Sequence, residues 1–87
     1  MVEEKIGVVE HFFTKISVAA IKITDGVLNV GDTVHIVGAN TDVKETVKQM
    51  EMNRMPITTA KAGDAIGIKI LQRVREHDIV YKVPKGE

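Results

Sequence analysis

Residues 41–55 read Thr41-Asp42-Val43-Lys44-Glu45-Thr46-Val47-Lys48-Gln49-Met50-Glu51-Met52-Asn53-Arg54-Met55, and two folds compete for them. Asp42 and Glu45 stand in a capping-box relation, and Val43, Val47, Met50 and Arg54 recur at helical spacing, so local propensity admits a helix. The alternative is an extended segment. In that case Val43 and Val47 share one parity while Met50 and Met52 share the other, so the buried face must invert, as a bulge near Lys48-Gln49 would allow. Met55-Pro56 ends the element, because the residue before proline is pushed toward extended geometry and proline cannot donate to a ladder.

Upstream, the chain is cut by glycine turns into apolar runs of strand length. The spacing predicts strands over about Lys5 to Phe13 and Ser17 to Thr24, a turn at Asp25-Gly26, a short run Val27 to Val30, a turn at Gly31-Asp32, and a strand from Thr33 to Val37. Downstream, Thr58-Thr59-Ala60 reads as loop and Ala62-Gly63-Asp64 as a turn. Ile66, Ile68 and Ile70 then fall on one face of a strand. Val74 is a lone apolar anchor in the charged connection Gln72 to Asp78, and Ile79 to Val83 closes the pattern before Pro84. Outside the contested segment no stretch suggests a crossover helix. The expectation is an all-β fold, a small closed antiparallel Greek-key barrel of about six strands.

Composition agrees. Thirteen Val, ten Ile and seven Thr stand against two Leu and six Ala. Eighty-seven residues suit one small domain spanning 1–87. Twelve basic and twelve acidic side chains cancel, so a partner must be recognised locally and not through net charge. Cysteine is absent, which leaves no thiol nucleophile or thiolate metal site. The acidic start Glu3-Glu4 and the lack of a long apolar run predict a cytoplasmic protein without a membrane partner.

Catalytic chemistry is hard to assemble. No GxxxxGK[ST] or GxGxxG loop occurs, and the one serine, Ser17, lies between Ile16 and Val18 without a nucleophile-elbow pattern. His11, His35 and His77 lack metal-ligand spacing, and nothing brings Glu10, Glu51 and Asp64 together for acid/base work. We therefore expect no catalytic residues, no metal and no cofactor. Adjacent Phe12 and Phe13 cannot both point inward on a strand, so at least one of them packs under a loop or meets a partner.

Three blocks resemble the second domain of translational GTPases such as elongation factor Tu. They are Asp25-Gly26-Val27-Leu28-Asn29-Val30-Gly31-Asp32 with Val34, Ile36 and Gly38; Met50-Glu51-Met52-Asn53-Arg54; and Ala62-Gly63-Asp64-Ala65-Ile66-Gly67-Ile68. They occur in family order, and the similarity spans about residues 5 to 85. The resemblance implies a barrel in which the Met50 segment is a strand. It also implies a translation-factor-like module without the family's GTPase domain. Glu51 and Arg54 match charges that in elongation factor Tu help hold the acceptor end of tRNA, and Lys15 falls near a basic residue of that site. Ala65 and Lys69 depart from the pattern, standing where that site has a polar and an apolar residue respectively.

The chemistry of these side chains suits RNA. A carboxylate accepts from a ribose hydroxyl or exocyclic amine, and a guanidinium clamps phosphate. Lys69, Arg73 and Arg75 add a basic edge, diluted by Glu76 and Asp78. The expected function is a non-catalytic module contacting ribosomal or transfer RNA through Lys15, Glu51, Arg54, Lys69, Arg73 and Arg75. The alternative is a protein-interaction subunit, or a homo-oligomer, docking on a larger translation or RNA-modifying enzyme, with Phe12 and Phe13 at the interface.

Overall fold

The β-branched sequence is realised as ten strands, with no helix among residues 2–84, which the computed structural model describes. Six have five residues or more: β1 (Glu4–Phe13), β2 (Val18–Ile23), β4 (Thr33–Gly38), β5 (Thr41–Thr46), β9 (Ala65–Lys69) and β10 (Ile79–Val83). The other four, β3 (Val27–Asn29), β6 (Met50–Met52), β7 (Met55–Ile57) and β8 (Thr59–Lys61), have three each. Eight form an antiparallel ladder in the order β5-β4-β10-β1-β2-β9-β6-β7, and β3 pairs with β8 separately.

The ladder curls around one apolar interior. Alternate residues of each long strand point into it: Ile21 and Ile23 from β2, Val34 and Ile36 from β4, Ile66 and Ile68 from β9, and Val80 from β10 are all buried. Burying each such side chain contributes about 1.5–3 kcal/mol, the main stabilising term available to a chain without disulfides. The outer strands of the ladder, β5 and β7, are bridged by the turn between β3 and β4. Gly31 N donates to Val47 O and Val47 N to Asp32 O, both at 2.8 Å, while Val30 N donates to Thr58 O at 2.9 Å. This is a barrel-type fold.

No helix forms over residues 41–55; the segment is extended to Met52 and then turns at Asn53-Arg54, and the buried face does invert across Lys48-Gln49, since Val43, Val47 and Met50 all point inward. The inversion is larger than a bulge. β5 pairs with β4 at one side of the ladder, residues 47–49 cross over, and β6 pairs with β9 and β7 at the other. Two further expectations are corrected. Pro56 does not end the segment but lies inside β7, which pairs only with β6, so its missing N–H is tolerated on an edge strand. Thr59 and Ala60 are not loop but belong to β8, fixed by pairing with β3.

Three turns share one construction. At residues 29–32, 61–64 and 75–78, the aspartate in fourth place accepts the backbone N–H of the first residue (Asn29 to Asp32 2.8 Å, Lys61 to Asp64 3.0 Å, Arg75 to Asp78 2.8 Å). The aspartate's own N–H donates back to the first residue's carbonyl. The third residue has positive φ in each: Gly31 at 100°, Gly63 at 99° and His77 at 74°.

β1 is irregular at Ile6 and at Glu10, where its register against β10 and β2 shifts. The second shift sets the fate of the adjacent phenylalanines. Phe12 packs against the core, and Phe13 is 46% exposed.

Candidate nucleic-acid interface

The β6–β7 hairpin is the element on which the site is built. Met52 pairs with Met55, leaving Asn53 and Arg54 as a two-residue loop with φ of 53° and 65°. Two consecutive positive φ values fit the right-handed twist of a tight hairpin, and asparagine suits the first position. The second position favours glycine. Arginine there costs on the order of 1 kcal/mol relative to an unstrained residue.

Beside this hairpin lies a groove of about 720 Å³. Met50, Gly67 and Glu51 line it, Gly67 paired with Glu51 between β9 and β6, together with the apolar side chains of Ile16, Val18, Val30, Pro56 and Ile57. Lys48, Arg54 and Lys69 line it with Glu51, so basic groups outnumber the one acid. Gly67 packs closely against Val18 at this lining. A Cβ at that position would lie 3.1 Å from Val18, which would have to give by a few tenths of an ångström, and would be in ordinary contact with Glu51 at 3.4 Å. Lys69 Nζ donates to the carbonyl of Ile16 at 3.3 Å, which ties the β1–β2 turn to the groove wall. Gln49 and Thr58 add neutral polar groups. Such a concavity can hold an extended anionic chain, with three cations for charge and apolar surface for rings or methylenes.

The six RNA candidates separate in space. Glu51, Arg54 and Lys69 converge on the groove, from β6, the hairpin turn and β9. Lys15 is exposed on the β1–β2 turn, next to the lining residue Ile16. Arg73 and Arg75 are exposed on the connection between β9 and β10 and do not line the groove. That connection is held by the buried Val74 and by Glu45, whose carboxylate accepts the N–H groups of Leu71 and Gln72 at 3.0 and 2.8 Å. Ala65 is exposed at the start of β9, paired with Lys22. Lys48, Gln49, Val30 and Gly67 escaped notice as site residues. The face inversion at Lys48-Gln49 was the available signal, since a chain that changes strands there leaves both side chains outside the core.

Of the candidate interface residues, Phe12 is mostly covered and Phe13 remains accessible, its ring meeting His11 edge to face at 4.5 Å. His11 also contacts Glu76 at 2.9 Å. Among the described residues, no group of three or more His, Asp or Glu side chains is placed to hold a metal, and no helix is long and apolar enough to cross a membrane.

The elongation factor Tu domain 2 family matches residues 17–77. An uncharacterized protease of Methanocaldococcus jannaschii is 42% identical over 78 residues, covering 88% of this chain and 19% of the relative. A collagenase of Porphyromonas gingivalis is 30% identical over 77 residues, covering 87% of this chain and 21% of the relative. The chain thus spans about a fifth of the length of these relatives. Among solved structures, the C-terminal domain of a Geobacillus thermoleovorans protein assigned as a U32 peptidase superposes with a TM-score of 0.85 at 13% identity, covering 93% of each chain. The selenomethionine form of that domain gives 0.84, also at 13% identity, over 91% of this chain and 99% of that one.

Proposed function

This chain belongs to the elongation factor Tu domain 2 family, and from that premise we propose that it is a non-catalytic module whose groove takes single-stranded RNA of the ribosomal or transfer class. The observation that carries the reading is the convergence of Glu51, Arg54, Lys69 and Lys48 on one groove, with Arg54 held where glycine would be less strained. The three cations neutralise phosphates, and Glu51 accepts a hydrogen bond from a ribose hydroxyl or a base amine. Among the described residues no aromatic side chain lines the groove, so binding is expected to be modest and tolerant of base identity. The test is NMR titration with a single-stranded RNA oligonucleotide at low salt. Shifts concentrated at Glu51, Arg54, Gly67 and Lys69 support the reading, with log K falling against log salt at a slope of about −2 for three neutralised phosphates. Absence of shifts there overturns it.

A second reading rests on the relatives, which are named as a protease and a collagenase. In that reading the barrel is an accessory unit that docks on a larger peptidase-type protein, using exposed Phe13, Ile16, Leu71 and Met55. Purification of the tagged protein from its own cell extract, with and without nuclease, separates the two. Nuclease-sensitive partners favour RNA, and nuclease-resistant association with one larger polypeptide favours docking.

A further inference from the structure

On β4, away from the groove, His35 is held between two carboxylates from different segments. Nδ1 lies 2.6 Å from Glu3 Oε1, and Nε2 lies 2.5 Å from Asp42 Oδ1. Glu3 immediately precedes β1 and Asp42 is on β5, so one imidazole links the start of the first strand to the β4–β5 side of the sheet. A neutral imidazole has one N–H and one lone pair, and its lone pair would face a carboxylate that has only lone pairs to offer. Only the imidazolium donates to both.

Among the described residues, the further charged and titratable groups in line with it are Lys44 on β5, which pairs across from His35 and lies 3.6 Å from Glu3, Tyr81 on β10, which pairs on the other side with ring centroids 6.5 Å apart, and Lys5 on β1, which pairs with Tyr81. The His35 and Glu3 side chains are 19% and 24% exposed, sheltered enough for the contact to persist, whereas Asp42 is 81% exposed.

We propose that His35 is a pH-operated clasp: doubly protonated, it fastens residues 3–5 to the β4–β5 side of the barrel, and on losing a proton it lets the start of β1 fray from β10. The first pairs to open are Glu4 with Lys82 and Lys5 with Tyr81, which lie before the register irregularity at Ile6 and so are separated from the rest of the β1 ladder. Both carboxylates hold the His35 proton more tightly than in a free imidazole, Asp42 contributing most and Glu3 next, while partial burial opposes them. The hydrogen bond from His35 in turn lowers the Glu3 pKa.

The test is NMR on the whole chain across neutral pH. The ring nitrogens of His35 report its protonation, and the heteronuclear NOE of the Glu3 and Glu4 amides reports the order of the segment. The expected result is that both nitrogens are protonated at pH 6.5, that the NOE at Glu3 and Glu4 falls as His35 titrates above that value, and that His35→Gln removes this pH dependence. Asp42→Asn, a change at an exposed side chain, is expected to move the His35 midpoint downward without unfolding the barrel. A neutral His35 ring at pH 6.5 overturns the proposal. So does an unchanged NOE at Glu3 and Glu4 while His35 titrates, which would mean that only Asp42 turns away.

Discussion

The β6–β7 hairpin and the turn at residues 75–78 both place a non-glycine residue at positive φ, Arg54 at 65° and His77 at 74°. The two related turns, at 29–32 and 61–64, use glycine at that position. The cost is similar, but the surroundings differ. Arg54 lines the groove beside Glu51, while His77 is exposed on a connection that does not reach it. Strain therefore does not by itself mark function, and nothing in the structure explains why His77 stands where its counterparts are glycine. The inference for Arg54 rests on the strain together with the groove.

Substitutions can break this comparison. Asp78 is 5% exposed and closes its turn, so Asp78→Ala is expected to cost about 1–3 kcal/mol in urea unfolding, because the Arg75 N–H loses its acceptor. The same change at the half-buried Asp64 should cost less. If the two are equal, the turns are not anchored as the burial implies. Arg54→Gly is expected to weaken RNA binding by about tenfold or more while raising stability by about 1 kcal/mol, a split visible by pairing titration with unfolding. If RNA binding survives, the functional reading of Arg54 is wrong.

His77→Gly sharpens the contrast, with a similar gain of about 1 kcal/mol in stability and no change in RNA binding. The smallest effect is expected at His35, which does not line the groove. The raised pKa of His35 contributes stability that is complete below its ordinary value of 6.5 and is lost as pH rises through the elevated one. The lowered pKa of Glu3 contributes stability that is complete above its ordinary 4.5 and is lost as pH falls through the depressed one. Stability relative to His35→Gln should therefore peak between 4.5 and 6.5 in thermal unfolding at a series of pH values.

Local signals carried much of the fold. The run from Ile79 to Val83 is extended over the same residues as expected, and turns at Gly31-Asp32 and Gly63-Asp64 fall where glycine supplies the positive φ. The turn at 75–78 was illegible for the converse reason, since Arg75-Glu76-His77-Asp78 has no glycine to announce it. β7 and β8 were also hidden. A three-residue strand containing Pro56 and another reading Thr59-Ala60-Lys61 have no alternation to speak for them; the first exists through its hairpin with β6 and the second through β3, about thirty residues away.

Part of the groove was legible, because Glu51 and Arg54 belong to a recognisable block and Lys69 ends a clear strand. Lys48, Val30 and Gly67 were not, since they converge only when β5 and β6 lie on opposite sides of the ladder.

Sequence alone determined that this protein is built from short strands around a branched aliphatic interior, because side-chain shape, alternation and glycine placement act over neighbouring residues. Tertiary structure alone decided that the inversion at Lys48-Gln49 is a crossing between strands and not a bulge within one. It also decided that Arg73 and Arg75 lie apart from Glu51 and Arg54, and that His35 meets Glu3 and Asp42. These depend on which strands pair across long stretches of chain, and pairing is set by the collective filling of one core, to which no local segment has access.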